Sequence, residues 1–245
     1  MNKIWLTGFP FAHRGLHGSP LGVVENSLSA FHAANDRGHG FELDILLSKD
    51  DKAMVFHDVS LERLTGTSGN IQDFTALALA EIKLGNTSDS IPTLSKILSE
   101  IDQNYPILIE IKGDQGHPVK IAKAVFSDIK GYNGPIAIMS FYPKIIEWFK
   151  ANAPHVLRGL VATSINDGEM PNDFFSIETQ KEYVEGLEVD FIAYDIKALP
   201  NDLSEYCRKK NIPVLTWTVR SEPLQKKAAQ YSDNIIYENL KLSQL

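Results

Sequence analysis

Short runs of apolar and β-branched residues recur at 9–14, 40–46, 53–57, 107–112, 135–140, 156–161, 189–194, 213–218 and 234–238, which makes nine strand candidates. Between most of them apolar residues return at helical spacing. Leu28, Phe31 and Ala34 share a face, with Asn26 as the expected cap and Gly38 as the stop, and Leu94, Ile97, Leu98 and Ile101 follow Pro92-Thr93. Further helices are expected to start at Pro118, Pro143, Asn201 and Ser221, each a cap or a first-turn proline. Alternation of strand and helix predicts parallel pairing. The step from 40–46 to 53–57 breaks the rule, because it is too short for a crossover helix, so these two runs must form an antiparallel hairpin. Eight βα strands remain, and in a chain of 245 residues they predict a TIM-like (β/α)8 barrel with its site at the carboxyl ends of the strands. The open doubly wound sheet is the alternative, but no glycine-rich phosphate fingerprint follows the first strand. Residues 59–92, with Gly66, Gly69 and Gly85, read as a small insertion after the second strand, so 1–245 is expected to be a single barrel domain.

Charge and cysteine content narrow the partners. A net charge of -7 without a basic run argues against nucleic acid or an anionic membrane surface, and leaves room for a local positive pocket around a small anion. The single cysteine, Cys207, permits no intramolecular disulfide and no thiolate metal cluster, which fits a reducing compartment; its spacing from Leu203 and Tyr206 marks it as core. The opening MNKIWLTGFPFAHRG carries one lysine and a broken apolar run, with no export signal legible in it, so a cytoplasmic location is expected. No apolar stretch reaches the ~18 residues of a membrane span. Oligomeric state has no signal in the sequence.

The candidate chemistry starts in FELDILLSKDDKAMVFHD, residues 41–58. Residues two apart in a strand face the same way, so Glu42 and Asp44 present two carboxylates together. If Asp50-Asp51 form a two-residue turn, His57 lies across from Asp44. The plain alternative is an edge strand with solvated carboxylates and a hydrogen-bonded histidine. ILIEIKGD adds Glu110 and Lys112 on one side of a strand that is otherwise apolar on both faces; a structural salt bridge is the alternative there. Three carboxylates at one barrel mouth cannot all stay ionised without a cation among them, and all-oxygen ligation points to a hard ion, Mg²⁺ or Ca²⁺. The first strand ends in His13-Arg14-Gly15: a proton-transfer group, a planar phosphate clamp and a glycine that allows close approach. This set suits metal-assisted cleavage of a phosphate ester.

The same residues carry a resemblance. HRG at 13–15, ENS at 25–27 with AF at 30–31, ELD at 42–44, HD at 57–58, LERLTGTSGNIQDFT at 61–75, IPTL at 91–94, IEIK at 109–112, MSF at 139–141 and VLTWTV at 214–219 occur in the order found in the glycerophosphodiester phosphodiesterase family, over nearly the whole chain. The resemblance implies a TIM-like barrel that hydrolyses glycerophosphodiesters to glycerol 3-phosphate and an alcohol with one divalent cation. It implies Glu42, Asp44 and Glu110 as metal ligands, His13 and His57 as the general acid/base pair, and Arg14 and Lys112 as phosphate-contacting cations. Glu25 and Asn26 correspond to a motif at the site's edge, where Glu25 takes a supporting role, and Trp217 stands where the family lines its glycerol pocket. Two positions depart from the family pattern: Val24 replaces a proline before Glu25-Asn26, and Tyr237-Glu238 replace the usual end of the last strand, where a different leaving-group pocket would form. Rival readings are a barrel lyase or isomerase built on Lys112, a glycerophosphodiester-binding protein without turnover, and a phospholipase D-like activity on lysolipids.

Overall fold

The computed structural model describes residues 3–19, 21–113, 115–166 and 170–240; Met1 and Asn2, at the head of the segment read for a leader, lie outside them. In chain order the elements are α1 (Trp5–Gly8), β1 (Phe11–Ala12), α2 (Leu28–Asn35), β2 (Gly40–Leu47), β3 (Ala53–Val55), α3 (Glu62–Thr65), α4 (Ala76–Leu79), α5 (Leu94–Glu100) and β4 (Ile107–Ile111). They continue as α6 (Pro118–Ile129), β5 (Ile136–Ser140), α7 (Pro143–Asn152), β6 (Leu157–Ala162), α8 (Ile177–Gly186), β7 (Phe191–Asp195), α9 (Asp202–Lys209), β8 (Val214–Val219), α10 (Glu222–Tyr231) and β9 (Asn234–Tyr237).

Eight strands pair in parallel, and β1 closes the ring by pairing with both β2 and β9, while β3 lies antiparallel on β2 outside the ring. The expected barrel is therefore present. Its strands are apolar on both faces because each face is covered. Outward-facing Phe41, Leu43, Ile45, Ile107 and Ile109 pack under the helices, and inward-facing Phe11, Leu108, Ala137, Met139, Phe191 and Leu215 fill the interior. Above this apolar filling, β2 and β4 turn charged: Asp44 pairs in register with Glu110.

Four local expectations need correction. The first strand is two residues long instead of six, and the residues before it fold into α1, whose Leu6 is fully buried in the interior cluster and closes the barrel floor. The hairpin has a three-residue loop: Ser48 N–H bonds to Lys52 O (3.0 Å), Asp51 N–H bonds to Ser48 O (3.1 Å), and Asp51 sits at φ 61. This is a turn followed by a left-handed residue, not the two-residue turn at Asp50-Asp51. The register moves by one, so Asp44 faces Phe56, whose N–H bonds to Asp44 O (3.0 Å), and His57 lies one residue beyond the pair. The α2 cap is Ser27, which accepts from Ala30 N–H, because Asn26 is committed elsewhere. Finally, α8 stands between β6 and β7 behind the cap Ser176, in addition to the helices expected at Pro118, Pro143, Asn201 and Ser221.

The insertion has a small core of its own. Leu61, Ile71, Leu79, Leu84 and Ile91 pack on Leu46, Met54 and Phe56, the inner face of the hairpin where it extends past the barrel rim. The β2–β3 ribbon is thus covered on both sides, and the chain leaving β3 is held at the mouth.

Candidate active site

The site forms where β1, β2, β4, β8 and β9 end. Glu42, Asp44 and Glu110 are buried and each brings a carboxylate oxygen within 4.8 Å of the others. Their alignment follows from strand geometry: Glu42 and Asp44 are two apart on β2, and Glu110 is the register partner of Asp44 on β4. Lys112 reaches back from the end of β4, with Nζ 2.8 Å from Glu110 Oε1 and 3.2 Å from Asp44 Oδ1.

The turn after β1 supplies the second cation. Arg14 is left-handed (φ 55), donates its backbone N–H to Glu42 Oε2 (2.9 Å), and places its guanidinium against Glu25 Oε1 (2.7 Å) and Asp44 Oδ2 (3.3 Å). Gly15 follows at φ +79, and a Cβ there would lie 2.7 Å from that of Ala30, so the turn can sit on α2 only with glycine. Asn26, fully buried, donates its amide N–H to Asp44 Oδ2 (2.9 Å) and accepts from Asp44 N–H (3.3 Å). Asn26 is therefore no helix cap; it stands at the site, where its motif places it, with its amide committed to Asp44.

Electrostatics divides the carboxylates. Burial pushes Glu42 up, the neighbouring Asp44 and Glu110 charges push it further, and its carboxyl ends well above the usual range. Burial acts the same way on Asp44, but Lys112, His57, Arg14 and His13 overcome it and hold Asp44 well below its ordinary value. Glu42 Oε1 is buried and no donor among the described residues reaches it. Such an oxygen, in a cluster of three acids, is the arrangement a hard cation would satisfy. Three carboxylates against the two cations Arg14 and Lys112 leave one net negative charge. A divalent ion would turn that into one positive charge, equal and opposite to a phosphodiester.

Both predicted histidines are close enough to Asp44 for their charges to act on it. Each has its Nδ1 on a carboxylate: His57 on Asp58 Oδ1 (2.6 Å) and His13 on Glu238 Oε2 (3.0 Å). An ionised carboxylate only accepts, so Nδ1 carries the hydrogen in both rings and the Nε2 lone pair is the one left for chemistry. Burial lowers the His13 pKa despite the bond to Glu238. Beyond each carboxylate stands an arginine. Arg63 of α3 grips Asp58 and also Glu25 (2.8 Å), and Arg220 holds Glu238 (2.8 Å). Glu25 therefore bridges Arg14 and Arg63, which gives the expected supporting residue its partners.

Trp217 packs edge-on against Phe141 with ring centroids 5.6 Å apart, and its indole N–H is spent on Ala193 O (2.8 Å), so it has no donor left for a ligand. Tyr237 points away from the mouth: it is buried, with its hydroxyl 2.7 Å from His39 Nδ1. Of the two residues at the altered strand end, only Glu238 faces the site. His17 lies within electrostatic reach of Glu238, Glu25, His13 and Arg14. Asn26, Asp58, Arg63, Arg220 and Glu238 were not singled out from sequence for these contacts; for Asp58 the signal was its place directly after His57.

An eight-stranded parallel barrel with an acidic trio and two imidazoles at the carboxyl ends of its strands defines the class: a TIM-barrel protein equipped for phosphoryl chemistry. The profile of the glycerophosphoryl diester phosphodiesterase family matches residues 13–240, and the chain belongs to that family of phosphoric diester hydrolases. A glycerophosphodiester phosphodiesterase of Caldanaerobacter subterraneus is 29% identical over 239 residues, covering 93% of each chain. A solved glycerophosphodiester phosphodiesterase of Thermotoga maritima superposes with a TM-score of 0.75 at 28% identity, covering 93% of this chain and 92% of that one. A phosphodiesterase of Oleispira antarctica, solved with its product sn-glycerol-3-phosphate, shares the fold with a TM-score of 0.81 at 23% identity, over 96% and 94% of the two chains.

Proposed function

We propose that this chain hydrolyses glycerophosphodiesters to glycerol 3-phosphate and an alcohol, with His13 and His57 as the general acid/base pair and one divalent cation, Mg²⁺ or Ca²⁺, held by Glu42, Asp44 and Glu110. The observation that carries the reading is two imidazoles, each fixed through Nδ1 on a carboxylate and both within electrostatic reach of the buried Asp44 of the acidic trio, in a chain of this family. When bound, the cation would act as a Lewis acid on a phosphoryl oxygen and complete the charge balance of the site.

The chain's own groups account for the rest. Arg14 and Lys112, locked by Glu25, Asp44 and Glu110, present positive charge to the phosphate without having to reorganise as charge develops. One histidine takes a proton at Nε2 from the nucleophile: water, which gives glycerol 3-phosphate directly, or the adjacent glycerol hydroxyl, which gives a cyclic phosphate that water then opens with the two histidines exchanging roles. The other gives a proton to the leaving alkoxide as the P–O bond breaks. Trp217 provides an apolar face for the glycerol carbons. With its charged groups gathered at the mouth above an apolar interior, the site fits a small-molecule substrate, not nucleic acid, and no helix among the described residues is long and apolar enough to cross a membrane.

His13→Ala and His57→Ala should each lower kcat for glycerophosphocholine by about 10² to 10⁴, the usual worth of one positioned proton transfer. Either variant turning over near the wild-type rate would remove that histidine from the mechanism. Binding of glycerophosphocholine by the wild type without release of product would instead favour the non-catalytic binding protein, and choline released from lysophosphatidylcholine alone would favour the lysolipid reading.

A further inference from the structure

We infer that Glu238 is a positioning residue for His13 and that Arg220 holds Glu238 in place; the inference rests on the reading of His13 given above. Parallel pairing sets Ala12 of β1 beside Tyr237 of β9, so the residues that follow, His13 and Glu238, emerge side by side at the barrel mouth. Both backbones are pinned there: His13 N–H bonds to Tyr237 O (2.8 Å), and Glu238 N–H bonds to Val219 O (3.1 Å). From that footing Glu238 Oε2 accepts from His13 Nδ1 (3.0 Å) and from Arg220 Nη2 (2.8 Å) and Nε (3.2 Å), while Oε1 accepts from the Asn239 amide (3.2 Å). The three side chains run outward from the site, with exposures of 13% for His13, 17% for Glu238 and 49% for Arg220.

The arrangement fixes chemistry as well as position. A carboxylate at Nδ1 keeps that nitrogen protonated, so Nε2 is the end that gives or takes the reacting proton, and it balances the imidazolium when Nε2 is protonated. His57 is held by the same two parts, a carboxylate, Asp58, and then an arginine, Arg63, although its carboxylate comes from the adjacent residue and not from one 225 residues away. Two unrelated stretches of chain thus build one device around each imidazole. The pairing of His13 with Glu238 has no local sequence signature, because only closure of the ring by β9 on β1 brings it about.

The test compares wild type, Glu238→Gln, Glu238→Asp, His13→Ala and the double variant His13→Ala/Glu238→Gln, with glycerol 3-phosphate release from glycerophosphocholine as the readout and thermal unfolding as the check on folding. Glu238→Gln should lower kcat by about 10² with KM near wild type, a large part of the roughly 10² to 10⁴ that a positioned proton-transfer histidine is worth, because the carboxylate that sets its tautomer is gone. Glu238→Asp, which keeps the charge, should recover part of the loss. In the His13→Ala background the same Gln substitution should cost nothing further, because the group it positions is gone. A wild-type kcat in Glu238→Gln, or an equal fall with and without His13, would overturn the inference. Should the Gln variant not fold, Glu238→Asp at full wild-type kcat together with Arg220→Gln at full kcat would overturn it, and a fall in kcat alone in either would sustain it. Failure of the underlying reading looks different: wild type releases no product, or His13→Ala is as fast as wild type.

Discussion

The acid cluster is a place where three side chains of one sign are buried together, and Glu42 bears the consequence. In the cation-free protein its carboxyl lies well above the ordinary range, first because it is buried and then because Asp44 and Glu110 are beside it. A carboxyl raised in the folded state binds its proton longer than it does in the unfolded chain, so stability falls as pH rises from the ordinary carboxylate range through the raised value. In chelator, Glu42→Gln should therefore raise the unfolding temperature more at pH 8 than at pH 5.5; comparing the two proteins isolates Glu42 from His13 and His17, whose lowering by burial gives the opposite slope. The same variant should have lost its activity. A Gln variant with the wild-type pH slope would place the repulsion elsewhere. The identity of these acids was legible because strand alternation puts residues two apart on one side. Asn26 was not, since the Ser27 that caps α2 stands directly beside it and either side chain could have made the cap.

At the scale of elements, the hairpin and the insertion decide how His57 reaches the mouth. The apolar runs gave nearly every strand to within two residues, but a turn's length cannot be read from hydrophobicity, and one residue of loop moved Asp44 from His57 to Phe56. Asp51, left-handed in that loop, should be replaced by glycine with a gain of up to ~1 kcal/mol and by valine with a loss of about 1 to 2, measured by denaturant unfolding. Arg63 ties the insertion to the site through Glu25 and Asp58, two carboxylates that hold Arg14 and His57. Arg63→Ala should lower kcat by about 10-fold while leaving the metal affinity near wild type. A variant with wild-type kcat would make the link merely a surface contact.

Across the whole molecule, ring closure does what no local pattern announces. The alternation of strands and helices implied a closed barrel, yet β1 has only two residues to join β2 to β9, too few for its period to show in the sequence, and the helix that seals the floor precedes it within the same aromatic-rich stretch. Leu6→Ala should cost about 2 to 5 kcal/mol in denaturant unfolding, the usual loss for a fully buried leucine, and it sits at the far end from the chemistry. Closure also gathers acids from β2 and β4, the His57 turn after β3 and the His13 turn after β1 around a charge balance that lacks two positive charges to match a phosphodiester. The measurement that bears most directly on this is release of glycerol 3-phosphate from glycerophosphocholine by chelator-stripped protein, before and after Mg²⁺ or Ca²⁺ is restored. No turnover in chelator and recovery with one of the two ions are expected; undiminished turnover in chelator would show that no cation takes part.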